Sequence, residues 1–152
     1  MSFVAFSPNG TSLLTASNGD TLIGRINGEA RVWNVSTSDP VSAPMRHSGA
    51  IIEATFSPDG ARVLTTSSDG SARVWALTTG QPLTPPLRHT QPLTHAEFSP
   101  DGQRVLTASE DSTVRVWDVS RIGSLPPRIT DGVIAAVSPD GRFLFKNPHA
   151  KK

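Results

Sequence analysis

Residues 56–75, FSPDGARVLTTSSDGSARVW, return 42 residues later as FSPDGQRVLTASEDSTVRVW at 98–117. The closing tripeptide Arg-Val-Trp occurs a third time, so Trp33, Trp75 and Trp117 are each separated by 42 positions. Working outward, Ser-Pro-Asp/Asn-Gly stands at 7–10, 57–60, 99–102 and 138–141, and Arg-His at 46–47 and 88–89. A chain that repeats at this period is an array of one supersecondary unit. The unit therefore has to be read before any single residue.

Residues 47–88 make one complete unit. The apolar-rich segment 50–56 reads as a first strand. Ser57-Pro58-Asp59-Gly60 follows as a hairpin turn, proline presetting one turn position and glycine tolerating the left-handed one. Residues 62–67 form a second strand, with Val63, Thr65 and Ser67 on one side and Leu64 and Thr66 on the other. Asp69-Gly70 turns the chain into a third strand over 71–76 that carries Trp75. After Thr79-Gly80, residues 82–87 form a fourth strand, which its prolines confine to the outer edge. No stretch has a helical period. Sheets that are apolar on both faces must be covered on both, and four-stranded units stacked side by side give a β-propeller. The fold class expected is all-β, with about three and a half four-stranded antiparallel blades in an incomplete ring.

FSPDG, LTTSSDGSARVW and LTASEDSTVRVWD resemble the WD-repeat (WD40) family over nearly the whole chain. PLTPPLRH at 82–89 resembles bacterial multi-repeat members. The resemblance implies a non-catalytic platform for protein partners, and some bacterial relatives are fused to signalling domains. One domain is expected over 1–152. It divides into blade 1 at about 1–46, blade 2 at 47–88, blade 3 at 89–127, a partial blade 4 at 128–146, and a basic tail at 147–152. Blade 1 lacks the entering segment with its histidine. It also carries eight extra residues, because Thr15 to Trp33 spans 18 positions where Thr65 to Trp75 spans 10. The insertion, within 18–27, reads as a lengthened hairpin.

Composition narrows the function classes. A formal charge of +1 argues against a general nucleic-acid binder. Of 14 basic residues, only Lys146, Lys151 and Lys152 are lysines. The absence of cysteine excludes disulfides and thiolate metal sites. No apolar run has transmembrane length, and MSFVAFSPNG lacks the charged and apolar regions of a signal peptide. A cytoplasmic location is expected.

His47, Thr65, Asp69 and Trp75 imitate a hydrolase constellation, as do His89, Thr107, Asp111 and Trp117. In WD repeats these positions form a buried hydrogen-bond network. Recurrence favours that reading, since an enzyme needs one active site whereas a scaffold needs the same staple in every blade. No catalytic residue, metal site or cofactor is expected. Blade 1 keeps Thr15 and Trp33 but has Asn27-Gly28 at the turn, and blade 4 has Arg128 and Lys146 in place of the histidine and hydroxyl. Arg31, Arg73 and Arg115 read as solvated guanidiniums with packed stems. Arg46 and Arg88, with Arg25 on the insertion, lie on the face from which WD proteins often bind. They either hold acidic or phosphorylated segments or pair with a neighbouring turn. Leu22 and Ile23 either belong to the long hairpin or offer an apolar contact. His95 and His149 have no ligand partners at metal spacing.

The blade count bears on assembly. A chain that begins with a first strand and ends after a second leaves two apolar sheet faces uncovered. It is expected to be a piece or truncated form of a longer repeat protein. The alternatives are self-association, two copies holding strands for about seven blades, and docking onto other WD repeats. Protein partners are expected, and neither nucleic acid nor membrane.

Overall fold

The computed structural model describes residues 3–18 and 27–120, together with two further strand backbones at 135–137 and 143–145. The described residues hold strands and turns and no helix. The first sheet is an antiparallel meander of β1 (Phe3–Phe6), β2 (Ser12–Asn18), β3 (Gly28–Asn34) and β4 (Met45–Arg46), in that spatial order. The second repeats it with β5 (Ile51–Phe56), β6 (Arg62–Ser67), β7 (Ser71–Ala76) and β8 (Leu87–Arg88). The third contains β9 (Leu93–Phe98), β10 (Arg104–Ser109), β11 (Thr113–Asp118), β12 (Ala135–Val137) and β13 (Phe143–Phe145). These are the blades of an incomplete β-propeller.

One device closes the first hairpin of every sheet. In the second sheet Ser57 Oγ accepts the Arg62 N–H at 3.0 Å and Asp59 Oδ1 accepts the Ala61 N–H at 2.9 Å. Gly60 takes a φ of 66°, a left-handed value that a side chain would resist. Ser99, Asp101 and Gly102 repeat the pattern in the third sheet, and Ser7, Asn9 and Gly10 in the first.

Two expectations about the edges need correction. The fourth strand, expected over 82–87, is reduced to Leu87–Arg88 and an isolated bridge between Trp75 and Pro82. Pro82, Pro85 and Pro86 have no N–H to give a ladder, so continuous pairing starts only after them. The strands within 128–146, expected as half of a fourth blade, continue the third sheet. Ala136 pairs with Thr113 and Ala135 with Val114, and β13 pairs with β12. These positions on β11 correspond to those that Arg88 and Leu87 occupy on β7. An open strand edge is a row of unpaired backbone groups, and β12 pairs with the first two residues of that edge, Thr113 and Val114. Among the described residues there is no separate fourth sheet.

Two cores lie between the sheets. Leu14, Ala30, Val32 and Met45 of the first sheet pack on Ala54, Phe56, Val63 and Trp75 of the second. Leu64, Ala72, Val74 and Leu87 of the second pack on Ala96, Val105 and Trp117 of the third. The second and third sheets thus each set a tryptophan face against the leucine-valine face of the sheet before it. Full burial of each such side chain contributes about 1.5–3 kcal/mol. Polar ties cross the same gap. Arg115 Nη1 donates to the Arg88 carbonyl at 2.6 Å, and Glu53 Oε2 lies 3.0 Å from His95 Nδ1 and accepts the Ala96 N–H at 3.1 Å.

Candidate functional site

Four elements converge on the most polar buried cluster. His47 lies just after β4, Thr65 on β6, Asp69 in the β6–β7 turn and Trp75 on β7. The Trp75 indole N–H donates to Thr65 Oγ1 at 2.8 Å, and Thr65 Oγ1 lies 2.7 Å from His47 Nε2. His47 Nδ1 faces Asp69 Oδ2 at 3.4 Å. The donors fix the protons. Indole can only donate and a carboxylate only accepts, so the Thr65 hydroxyl passes its proton toward Nε2 and Nδ1–H points at Asp69.

The third sheet repeats the set. Trp117 Nε1 donates to Thr107 Oγ1 at 2.9 Å, Thr107 Oγ1 lies 2.7 Å from His89 Nε2, and His89 Nδ1 lies 3.1 Å from Asp111 Oδ2. Among the described residues the first sheet keeps only the Trp33 to Thr15 bond of this set, at 2.9 Å. Gly28 opens β3 at the repeat position of Gly70, and a Cβ there would meet Ile51 at 2.6 Å.

Electrostatics agree with this proton arrangement. Burial pushes the His47 imidazole below its ordinary 6.5, against the pull of Asp69 and with the help of Arg73. Burial likewise lowers His89, opposed by Asp111. Burial alone would raise Asp69, but the Ser71 hydroxyl, His47 and the N–H groups of Ser48 and Ser71 outweigh it and hold the carboxyl below 3.8. Asp111 is held lower still: burial opposes ionisation there too, but Thr113, the Thr90 N–H and His89 overcome it.

A hydroxyl, an imidazole and a carboxylate in series are the components of an activated nucleophile. Here the hydroxyl is inaccessible. Thr65 and Thr107 are each 0% exposed, and each already accepts an indole N–H. The cluster therefore ties a loop, two strands and a turn together. Sequence reasoning missed Ser71 and Thr113, whose hydroxyls donate to the Asp69 and Asp111 carboxylates. A hydroxyl residue two positions after the aspartate in both repeats was the available signal.

The arginines are more engaged than their spacing implies. Arg31 Nε bonds Glu29 at 2.6 Å, and Arg115 reaches Arg88 O and, at 3.9 Å, Asp111. Arg73 lies over the Trp75 ring at 5.6 Å, and its Nε is buried without a partner among the described residues. Arg31 keeps a partly exposed side chain, as expected of a solvated guanidinium, whereas Arg73 and Arg115 fold back onto their own sheet or the one before. Arg46 pairs with Glu29 at 3.1 Å. The exposed Arg88 side chain has no ion pair among the described residues. Leu22, Ile23, Arg25, Arg128, Lys146 and His149 lie outside the described residues. His95, given no role by the sequence, contacts Glu53, which holds the same repeat position one sheet earlier. Among the described residues no cluster of ligating side chains could hold a metal, and no helix is long and apolar enough to cross a membrane.

Comparison with known proteins follows the repeats. The WD40 family, described as WD domain, G-beta repeat, matches residues 38–76 and 80–118. Among solved structures the chain is similar to the computationally designed Ika8 protein, with a TM-score of 0.62 and 24% identity over 78% of this chain. At that identity the likeness shows the fold alone. The match covers 33% of the designed chain, so the present one spans about a third of its length.

Proposed function

The chain belongs to the WD40-repeat family, and we propose that it is a non-catalytic scaffold that presents loops to protein partners. One observation carries this reading: its most enzyme-like constellation is built twice, and both hydroxyls are buried. Duplication and inaccessibility suit a staple and disable a reaction centre. We extend the scaffold reading to a longer repeat protein that contains this chain.

A second reading concerns the rim next to His47 and His89. Arg88 supports an anion-holding role, since its side chain is exposed and without an ion pair among the described residues, whereas Arg46 is committed to Glu29. Acidic or phosphorylated segments are the chemistry such a rim would take. Titration with phosphoserine- and glutamate-rich peptides tests it. Binding that survives moderate salt and disappears in Arg88→Ala, with an unchanged melt, supports the reading. No binding, or binding indifferent to Arg88, removes it.

A further inference from the structure

The two end faces of the stack duplicate faces that are buried inside it. On the first sheet the tryptophan face has no sheet before it among the described residues. Phe6 is 66% exposed there, whereas its counterpart Phe56 is 8% exposed. Leu13, Trp33 and Val35 line the same open depression. On the third sheet Leu106 and Val116 are only partly buried and line a second depression. Their counterparts Leu64 and Val74 are 1% and 0% exposed.

The match extends to a specific contact. The Arg62 guanidinium lies 5.3 Å over the Phe98 ring of the next sheet, and its Nη2 covers Gly102, where a Cβ would stand 2.7 Å away. Arg104 holds the place of Arg62 on the third sheet, is exposed, and borders the open depression. Phe6 and Gly10 hold the places of Phe98 and Gly102 on the first sheet, and a Cβ on Gly10 would meet nothing within 4 Å. One chain therefore carries, at opposite ends, both halves of the interface that joins its second and third sheets; between the first and second sheets Ser12 holds the place of Arg62, so the arginine contact is built there only once.

We propose that a second copy of this chain docks head to tail, its Phe6–Trp33 face on the Leu106–Val116 face, with Arg104 over Phe6. A second copy fits because the two faces correspond position by position to the internal pair. The net charge of +1 also brings little long-range repulsion. Such a contact is heterologous, and it forms a ring if the rotation closes. Three sheets per copy give six for two, within the range of about four to eight blades that closed propellers use. The outer corner is looser than inside the chain. Ser38 stands where Gly80 sits, and at Gly80 a Cβ would come 2.3 Å from the Ala43 carbonyl oxygen. The inference does not depend on what the arginine rim binds.

Sedimentation velocity of the 152-residue chain tests it. The wild type is expected to sediment as a dimer that dissociates on dilution. Phe6→Arg with Val35→Arg blocks one face, and Leu106→Arg with Val116→Arg blocks the other. Each double variant should be monomeric alone, and an equal mixture should form a weaker dimer, because each supplies the face that the other lacks. A wild type that stays monomeric at about 100 μM, well above an ordinary micromolar affinity, overturns the proposal and assigns the faces to another chain. So does a blocked variant that still dimerises alone, since that requires like faces to pair. A mixture that fails to associate also overturns it, provided that circular dichroism shows both variants folded. Arg104→Ala covers the case in which they are not. Placed on the surface, it should weaken the dimer about five- to tenfold, and an unchanged affinity contradicts the proposed contact.

Discussion

A Cβ placed on Gly80 would stand 2.3 Å from the carbonyl oxygen of Ala43. The loop after β7 thus presses on the backbone of the preceding sheet, and the glycine sets how closely the two approach. Its φ of 70° is also left-handed. Gly80→Ala therefore meets both a strained backbone and a filled space, and should cost about 2–3 kcal/mol. A urea unfolding curve measures this, and an unshifted midpoint would mean that the loop yields freely.

Ser112 adopts a φ of 63° at the place where the second sheet has Gly70, with φ 78°. A side chain in that region costs about 1–2 kcal/mol, partly offset by the greater unfolded freedom of glycine. Ser112→Gly should consequently stabilise the protein by about 0.5–1 kcal/mol. The reverse change, Gly70→Ser, should destabilise it, because the new Cβ would lie 3.1 Å from the His89 carbonyl oxygen. Thermal melts of the two variants should move in opposite directions.

Stability should fall with acid in two stages. His47 and His89 are held below 6.5 in the folded protein, so the unfolded chain binds more protons as pH drops through 6.5. That loss begins near 6.5 and ends where the folded imidazoles protonate. Asp69 and Asp111 are held below 3.8, so their stabilisation is complete above 3.8 and disappears as pH falls beneath it. Unfolding free energy measured between pH 8 and pH 3 should decline throughout the acid side. In a His47→Gln, His89→Gln variant the first stage should vanish and the second remain.

The repeat made the strands from 51 to 76 and from 93 to 118 legible, because turn residues with fixed backbone demands bracket each apolar run. The four-residue clusters were legible for the same reason. Sequence reasoning lost accuracy where one local rule met a tertiary option. Proline placed the fourth strand on an edge, but the missing N–H groups also shortened it to Leu87–Arg88. Ala135–Val137 read as the start of another blade, yet β11 offered an open edge that the segment could pair with. The contact between Glu53 and His95 joins two residues that do not look alike, and only their identical place in the repeat could have suggested it.

The Thr65 and Thr107 hydroxyls are the structural junctions of the two clusters. Thr65→Val or Thr107→Val removes one junction while preserving shape, leaving a buried indole N–H and an imidazole nitrogen unpaired. Equilibrium unfolding in urea is the direct measurement. Each substitution is predicted to cost about 2–4 kcal/mol for its two stranded polar groups. Wild-type unfolding midpoints in both variants would contradict the account.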